Sequence, residues 1–217
     1  MFPYPIGFNT SPAAGLADID NVYSMAFDGV DDYVDLGSGT DLELTDDFSV
    51  SAWIKDTSDL NRGIVCCGDR SNGSGWMMWR TSAHKAAFAV WTVSNRIVYS
   101  TTLINTGDWF NIIGTFEKNG TANQQVKIYI NGNTTAEDEN GWSGAKTPSY
   151  GGTIYKQIGF PYSGSNYFEG NIDEVSVFNY LLSPSDITEI YNATSTGKTA
   201  DLSSMTIPPI AWYRMGD

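Results

Sequence analysis

Basic residues are scarce in this sequence, and the first 54 positions contain neither lysine nor arginine. Over 217 residues, 12 Lys+Arg face 25 Asp+Glu, giving a formal net charge of −13 and a pI near 4.2. Phosphate backbones are held by cations that displace counterions, so this balance excludes nucleic acid as a partner. Without a basic start or an apolar run after Met1, the N-terminus reads as lacking a secretion signal. No apolar stretch approaches the roughly 18 residues that a membrane-spanning helix needs, so no membrane insertion is expected. Cysteine occurs only as the neighbours Cys66 and Cys67. In a strand they would point to opposite faces, and a bond between neighbours is strained, so there is no disulfide framework. The single histidine, His84, reads as a loop residue, because no Ser or Cys partner for nucleophilic chemistry is evident near it. One His and one vicinal Cys pair also exclude an ordinary tetrahedral zinc site. No glycine-rich phosphate loop precedes a helix, and no repeat of about 20–50 residues is seen.

Apolar and aromatic residues are plentiful, at 41% and 13%, which suits a single domain with a real core. The periodicity is that of strands. Residues 48–55 (Phe-Ser-Val-Ser-Ala-Trp-Ile-Lys) and 125–131 alternate apolar and polar. Further β-rich runs lie at 22–27, 33–36, 63–67, 76–80, 86–93, 96–101, 109–116, 153–160 and 172–178. Asp28-Gly29, Asn72-Gly73, Asn119-Gly120 and Asn131-Gly132 supply the turns between such runs. Many short strands without intervening helices predict an all-β, two-sheet antiparallel jelly-roll sandwich. One helix is predicted after Ser183, with Ser as N-cap, Pro184 at N1 and Asp186 at N3. Residues 1–20 read as an N-terminal arm and 194–217 as a linker and C-terminal arm, around a domain at 21–193. The tip Trp212-Tyr213 is expected to dock on something. Residues 137–151 read as a long irregular loop of the kind that carries function. Five Asn-x-Ser/Thr sequons, Asn133 and Asn192 among them, are read as chance.

Three blocks in order carry a family resemblance: residues 25–36 (Met-Ala-Phe-Asp-Gly-Val-Asp-Asp-Tyr-Val-Asp-Leu), 48–54, and 167–183 (beginning Tyr-Phe-Glu-Gly-Asn-Ile-Asp-Glu-Val). With Ile128-Tyr129-Ile130-Asn131-Gly132 and Gln157-Ile158-Gly159 between them, the chain resembles the laminin G-like, concanavalin A-like jelly roll over residues 20–193. The resemblance implies two packed antiparallel sheets, a binding rather than a catalytic role, glycan or protein ligands, and frequently calcium. Such domains occur in secreted bacterial proteins, animal matrix proteins and phage particles. The last six residues are similar to a segment that follows such domains in phage and marine-virus proteins.

Calcium needs several hard oxygens. Asp28, Asp31 and Asp32 place three carboxylates in five residues, and the resemblance adds Asp173 from a neighbouring strand. The alternative is that the turn residues cap backbone amides and that Asp173 is an ordinary strand residue. For glycan stacking the candidates are Trp142 and Tyr150 in the long loop, with Tyr162 and Tyr167 after it; the alternative is that they anchor loops. Trp53, Trp109, Phe116, Phe168 and Phe178 sit in strand patterns and are expected in the core. Glucanases of this fold align carboxylates as Glu-x-Asp-x-x-Glu along one strand; Glu137-Asp138-Glu139 lack that spacing, and Asp173 and Glu174 are adjacent, so no enzyme is predicted. The expected function is a structural or surface protein of an assembly, a phage or virus particle, displaying a lectin-like module at the virion surface. It would contact copies of itself or other particle proteins through the arms, and glycans. The alternative is a calcium-dependent carbohydrate-binding or adhesin module of a secreted, extracellular bacterial protein.

Overall fold

The computed structural model describes residues 16–56, 58–69, 71–105, 107–160, 166–192 and 198–216. Its strands are short and antiparallel. The first three are β1 (Asp18–Asp20), β2 (Met25–Asp28) and β3 (Val34–Asp35). Six longer strands follow: β4 (Phe48–Asp56), β5 (Arg62–Asp69), β6 (Ser74–Arg80), β7 (Lys85–Trp91), β8 (Asn95–Leu103) and β9 (Trp109–Phe116). Then come β10 (Val126–Ile130), β11 (Asp138–Asn140), β12 (Tyr155–Ile158) and β13 (Glu169–Phe178). Helix α1 (Pro184–Tyr191) precedes β14 (Lys198–Ala200) and β15 (Ala211–Tyr213).

A seven-stranded sheet runs β11-β10-β9-β4-β13-β15, with β2 also on β13, and packs against a six-stranded sheet ordered β3-β12-β5-β6-β7-β8. Between them lies the main core, in which Phe48, Trp76, Phe88, Phe116 and Phe168 are fully buried. The sheets approach closely at Gly114: a Cβ there would sit 2.3 Å from Cγ of Phe88, so only glycine admits that ring. Cys67 faces this core and Cys66 the opposite side of its sheet, as alternation predicts.

A third layer covers part of the seven-stranded sheet. Ser183 Oγ accepts from Asp186 N (3.2 Å) and Asp186 Oδ2 accepts from Ser183 N (2.8 Å), closing the capping box that starts α1. Ile187 and Ile190 then bury against Ile113, Phe178 and Leu182. A small ribbon of β1 and β14 lies beside the helix.

Two expectations about the termini change here. The segment predicted as linker and C-terminal arm is built into the domain: β14 pairs β1, and β15 pairs β13 with Val175 opposite Tyr213. The Trp212-Tyr213 tip therefore docks on the chain's own sheet edge. Asp18–Asp20, the end of the predicted N-terminal arm, is likewise a paired strand; residues 1–15 lie outside the described residues. No helix among the described residues is long and apolar enough to cross a membrane.

Candidate functional site

Strand phase decides which side chains leave the core. In β4 the inward set is Phe48, Val50, Ala52 and Ile54, so Trp53 shares the outer face with Ser49, Ser51 and Lys55. In β9 the inward Phe110, Ile112 and Phe116 leave Trp109 outside with Asn111 and Thr115. Register sets Trp53 opposite Asn111 on one side and Asp173 on the other, with Trp109 opposite Lys55. The expected burial of Trp53 and Trp109 is thus overturned: Trp53 is half-buried and Trp109 is 38% exposed. Phe116, Phe168 and Phe178 are core residues as expected.

Trp53, Trp109 and Asp173 floor a cavity of about 340 Å³ on the outer face of the seven-stranded sheet, where the third layer stops. Tyr191, the last residue of α1, lies parallel to Trp53 with centroids 5.5 Å apart and planes 10° apart. Residues 21–24 form one wall, and Lys198 and Thr199 of β14 form another side. Tyr23 in that wall is 66% exposed. Asp173 contributes a carboxylate beside the indole; it is 4% exposed, and its Oδ1 accepts from Glu174 N at 2.8 Å. Flat aromatic faces beside a carboxylate, an amide and hydroxyls match a ligand with an apolar face and a polar rim.

The sites nominated from sequence are differently disposed. Trp142 is 4% exposed and plugs one end of the sandwich, edge-on to Phe116 with Arg96 lying 5.0 Å above its ring. Its Nε1 donates to Ser94 Oγ at 3.0 Å. Tyr150 packs on the core and donates to Leu44 O at 2.8 Å; burial drives its phenol far above the ordinary range. Trp142 is thus enclosed, while Tyr150 is half-buried, anchored through its hydroxyl, and lines a separate surface cavity with Asn72 and Ser149. Tyr167 is half-buried and stacks on Tyr33 at 6.3 Å. Tyr162 lies outside the described residues. The long segment 137–151 is also not irregular throughout, since Asp138–Asn140 forms β11.

Asp28, Asp31 and Asp32 do converge: all are exposed, and an oxygen from each lies within 4.8 Å of the others. Asp28 Oδ1 also accepts from Val30 N (2.8 Å) and Asp32 Oδ2 from Asp28 N (3.1 Å). Asp173 does not join them. Asp28 pairs Glu169, four positions along β13 from Asp173, which is about 13 Å at the rise of a strand. Arg62 is the nearby cation, donating to Gly29 O at 3.3 Å and pairing with Glu169 at 2.8 Å.

Beside the cavity, β13 carries an irregularity between Asp173 and Ser176, with Glu174 left-handed at φ 50°. Neighbours in a regular strand point to opposite faces; across this irregularity Asp173 and Glu174 are both buried, and the charge of Asp173 acts on Glu174. Burial pushes the Glu174 carboxyl up to about 7; Asp173 adds to the rise, while Trp212 and Arg214 oppose it.

No curated protein matches the sequence. Solved structures share the fold at low identity. A Bacteroides ovatus protein described as a candidate carbohydrate-binding protein is 16% identical, with TM-score 0.62 over 94% of this chain. The present chain spans only 53% of that one. The CBM40 domain of the Ruminococcus gnavus IT-sialidase is 12% identical, with TM-score 0.63 over 82% of this chain and 100% of its own. A heptameric SAP-like pentraxin from Limulus polyphemus is 13% identical, with TM-score 0.54 over 87% and 89%. The model of the concanavalin A-like lectin/glucanases superfamily (Laminin_G_3) matches residues 28–188, more than two thirds of the sequence, and the chain belongs to that superfamily.

Proposed function

We propose that this protein is a non-catalytic carbohydrate-binding module that holds a sugar against Trp53 and Trp109, with Asp173 accepting its hydroxyls. The observation carrying this reading is two indoles and a buried carboxylate converging on one open cavity. Sugars offer an apolar C–H face and a rim of hydroxyls, which such a cavity complements. The relatives support it in kind: the Ruminococcus gnavus domain is also solved bound to α2,3-sialyllactose. A glycan array tests it. Wild type should bind at least one class of oligosaccharide. Trp109→Ala, already exposed and so tolerated by the fold, should weaken binding about tenfold, or about 1.4 kcal/mol. An array on which wild type binds nothing ends the reading; binding untouched by Trp109→Ala and Trp53→Ala ends this placement of the site.

The module is proposed to work outside the cell, displayed on a phage or virus particle or carried by a secreted adhesin. Light scattering separates the two, since a particle component oligomerises and an isolated adhesin module stays monomeric. Calcium at Asp28, Asp31 and Asp32 is a second reading, favoured by their convergence within 4.8 Å. The donors are hard oxygens, as calcium requires, but three fall short of about six to eight, so carbonyls and water would complete the shell. Added calcium should raise the melting midpoint by a few degrees in wild type and not in Asp31→Asn. An unchanged wild-type midpoint removes the ion.

A further inference from the structure

The walls of the cavity lie outside the residues that the family model matches. The family match covers residues 28–188, whereas residues 21–24, Lys198 and Thr199 line the cavity from beyond both ends. The ribbon that carries them is slight: β1 and β14 pair over three residues each, and a two-stranded ribbon is marginal without further packing. The exposed ion pair between Lys198 and Asp20 adds little in water.

Ala200 of β14 buries with Ile113 and Phe178, and Asn171 of β13 donates to Ser24 Oγ at 3.1 Å; a charged side chain adds a further tie between this ribbon and the sandwich. Arg214, just past β15, donates through Nη2 to the carbonyl of Asp20 and through Nε to Glu174 Oε1 at 3.4 Å. Its guanidinium lies 5.5 Å over the ring of Trp212, whose Nε1 donates to the other Glu174 oxygen at 2.5 Å. The backbone then turns so that Gly216 abuts Tyr23, and a Cβ there would come within 2.9 Å of the Tyr23 Cβ. Glu174 is 3% exposed and is the chain neighbour of Asp173, which lines the cavity, so the anchor point lies next to the cavity floor.

From this geometry we infer that Arg214 is a positioning residue for the cavity, locking residues 20–24 onto β13 and so setting the wall that faces the ligand. The inference rests on reading the cavity as a sugar site, and it makes the terminal segments the determinants of which sugar fits. Arginine suits the task because its planar fork serves two acceptors while stacking on an indole.

Amide hydrogen exchange on the full chain, paired with glycan-array affinity, tests it. Arg214→Ala should speed exchange in residues 18–24 about tenfold while β4 and β9 keep their protection. Affinity for the oligosaccharides bound by wild type should fall about tenfold, and Arg214→Lys should recover part of both. If Arg214→Ala does not fold, Trp212→Phe, which removes the Nε1 donor and narrows the ring that Arg214 lies over, is measured in the same way and should show the same pattern in weaker form. Unchanged exchange at 18–24 overturns the inference, as does loosened exchange with full affinity. If wild type binds no glycan, the sugar reading fails, and exchange alone decides whether Arg214 locks the wall.

Discussion

Asp56 and Arg80 form an ion pair at 2.7 Å with both side chains fully buried. Burial pushes the Asp56 carboxyl up and the Arg80 guanidinium down, each toward neutrality, against the attraction between them. The rest of the arginine is satisfied by Leu60 O at 2.9 Å and by His84 Nδ1 at 2.6 Å, which gives the turn residue His84 a structural task. Removing one partner strands the other, so Asp56→Ala is expected to cost about 3–5 kcal/mol in urea unfolding. Glu174 is a second buried charge, with a calculable pH dependence. Its folded value near 7 exceeds the ordinary 4.5, so its contribution favours folding at low pH and is lost as pH rises through about 7. Glu174→Gln keeps an acceptor for Trp212 and cannot ionise. It should raise stability at pH 8 by on the order of 3 kcal/mol and leave it nearly unchanged at pH 4; equal effects at both pH values would refute this assignment. At this scale the adjacent cysteines were legible from the chain, because alternation alone places them on opposite faces. Burial pushes the Cys67 thiol up to about 12, leaving it unreactive. The partner of Arg80 was not legible, since 24 residues separate it from Asp56 and no local pattern links them.

Among the elements, β8 shows how an edge strand is blocked. It ends the six-stranded sheet, yet Tyr99 N donates to Asp138 Oδ2 (2.9 Å), and Thr101 N and Thr102 N donate to Glu137 Oε2 (2.7 and 2.9 Å). Carboxylates from the other sheet thus occupy the donors that a further strand would seek. Burial raises the Glu137 pKa, but the hydrogen bonds from Thr101 and Thr102 outweigh it and hold the group below its ordinary 4.5. Its stabilisation is therefore present at neutral pH and lost as pH falls through that lowered value. Glu137→Ala should associate further than wild type at neutral pH, and the difference should shrink in acid, as light scattering would register. A Glu137→Ala protein that associates no further than wild type would count against the blocking role. The acidic run 137–139 was visible in the sequence; its purpose was not, because it depends on how the two sheets face each other. The strands and α1 were legible, since period two and the capping box are local signals. The irregularity in β13 was not, because a left-handed Glu174 carries no mark in the residue order.

For the whole molecule, charge is the dominant long-range term. A net charge of −13 is self-repulsive in the compact state. Raising NaCl from about 0.02 M to about 0.5 M shortens the screening length several-fold and should raise the melting midpoint by a few degrees. A falling midpoint would mean that exposed pairs such as Lys118–Asp46 outweigh the repulsion.

The amino-acid order by itself determined the fold class, the inward face of each regular strand, the capped helix and the acidic character, because each follows from neighbours a few residues apart. Period two even put Trp53 with Ser49, Ser51 and Lys55 and Trp109 with Asn111 and Thr115, although their size argued for the core. Only the tertiary structure decided that this face is left partly open, that Trp142 is instead enclosed, and that Asp173 sits beside Trp53 rather than Asp28. The reason is physical: a strand pattern tells two faces apart, but what covers each face is set by long-range register and by where the terminal segments come to rest.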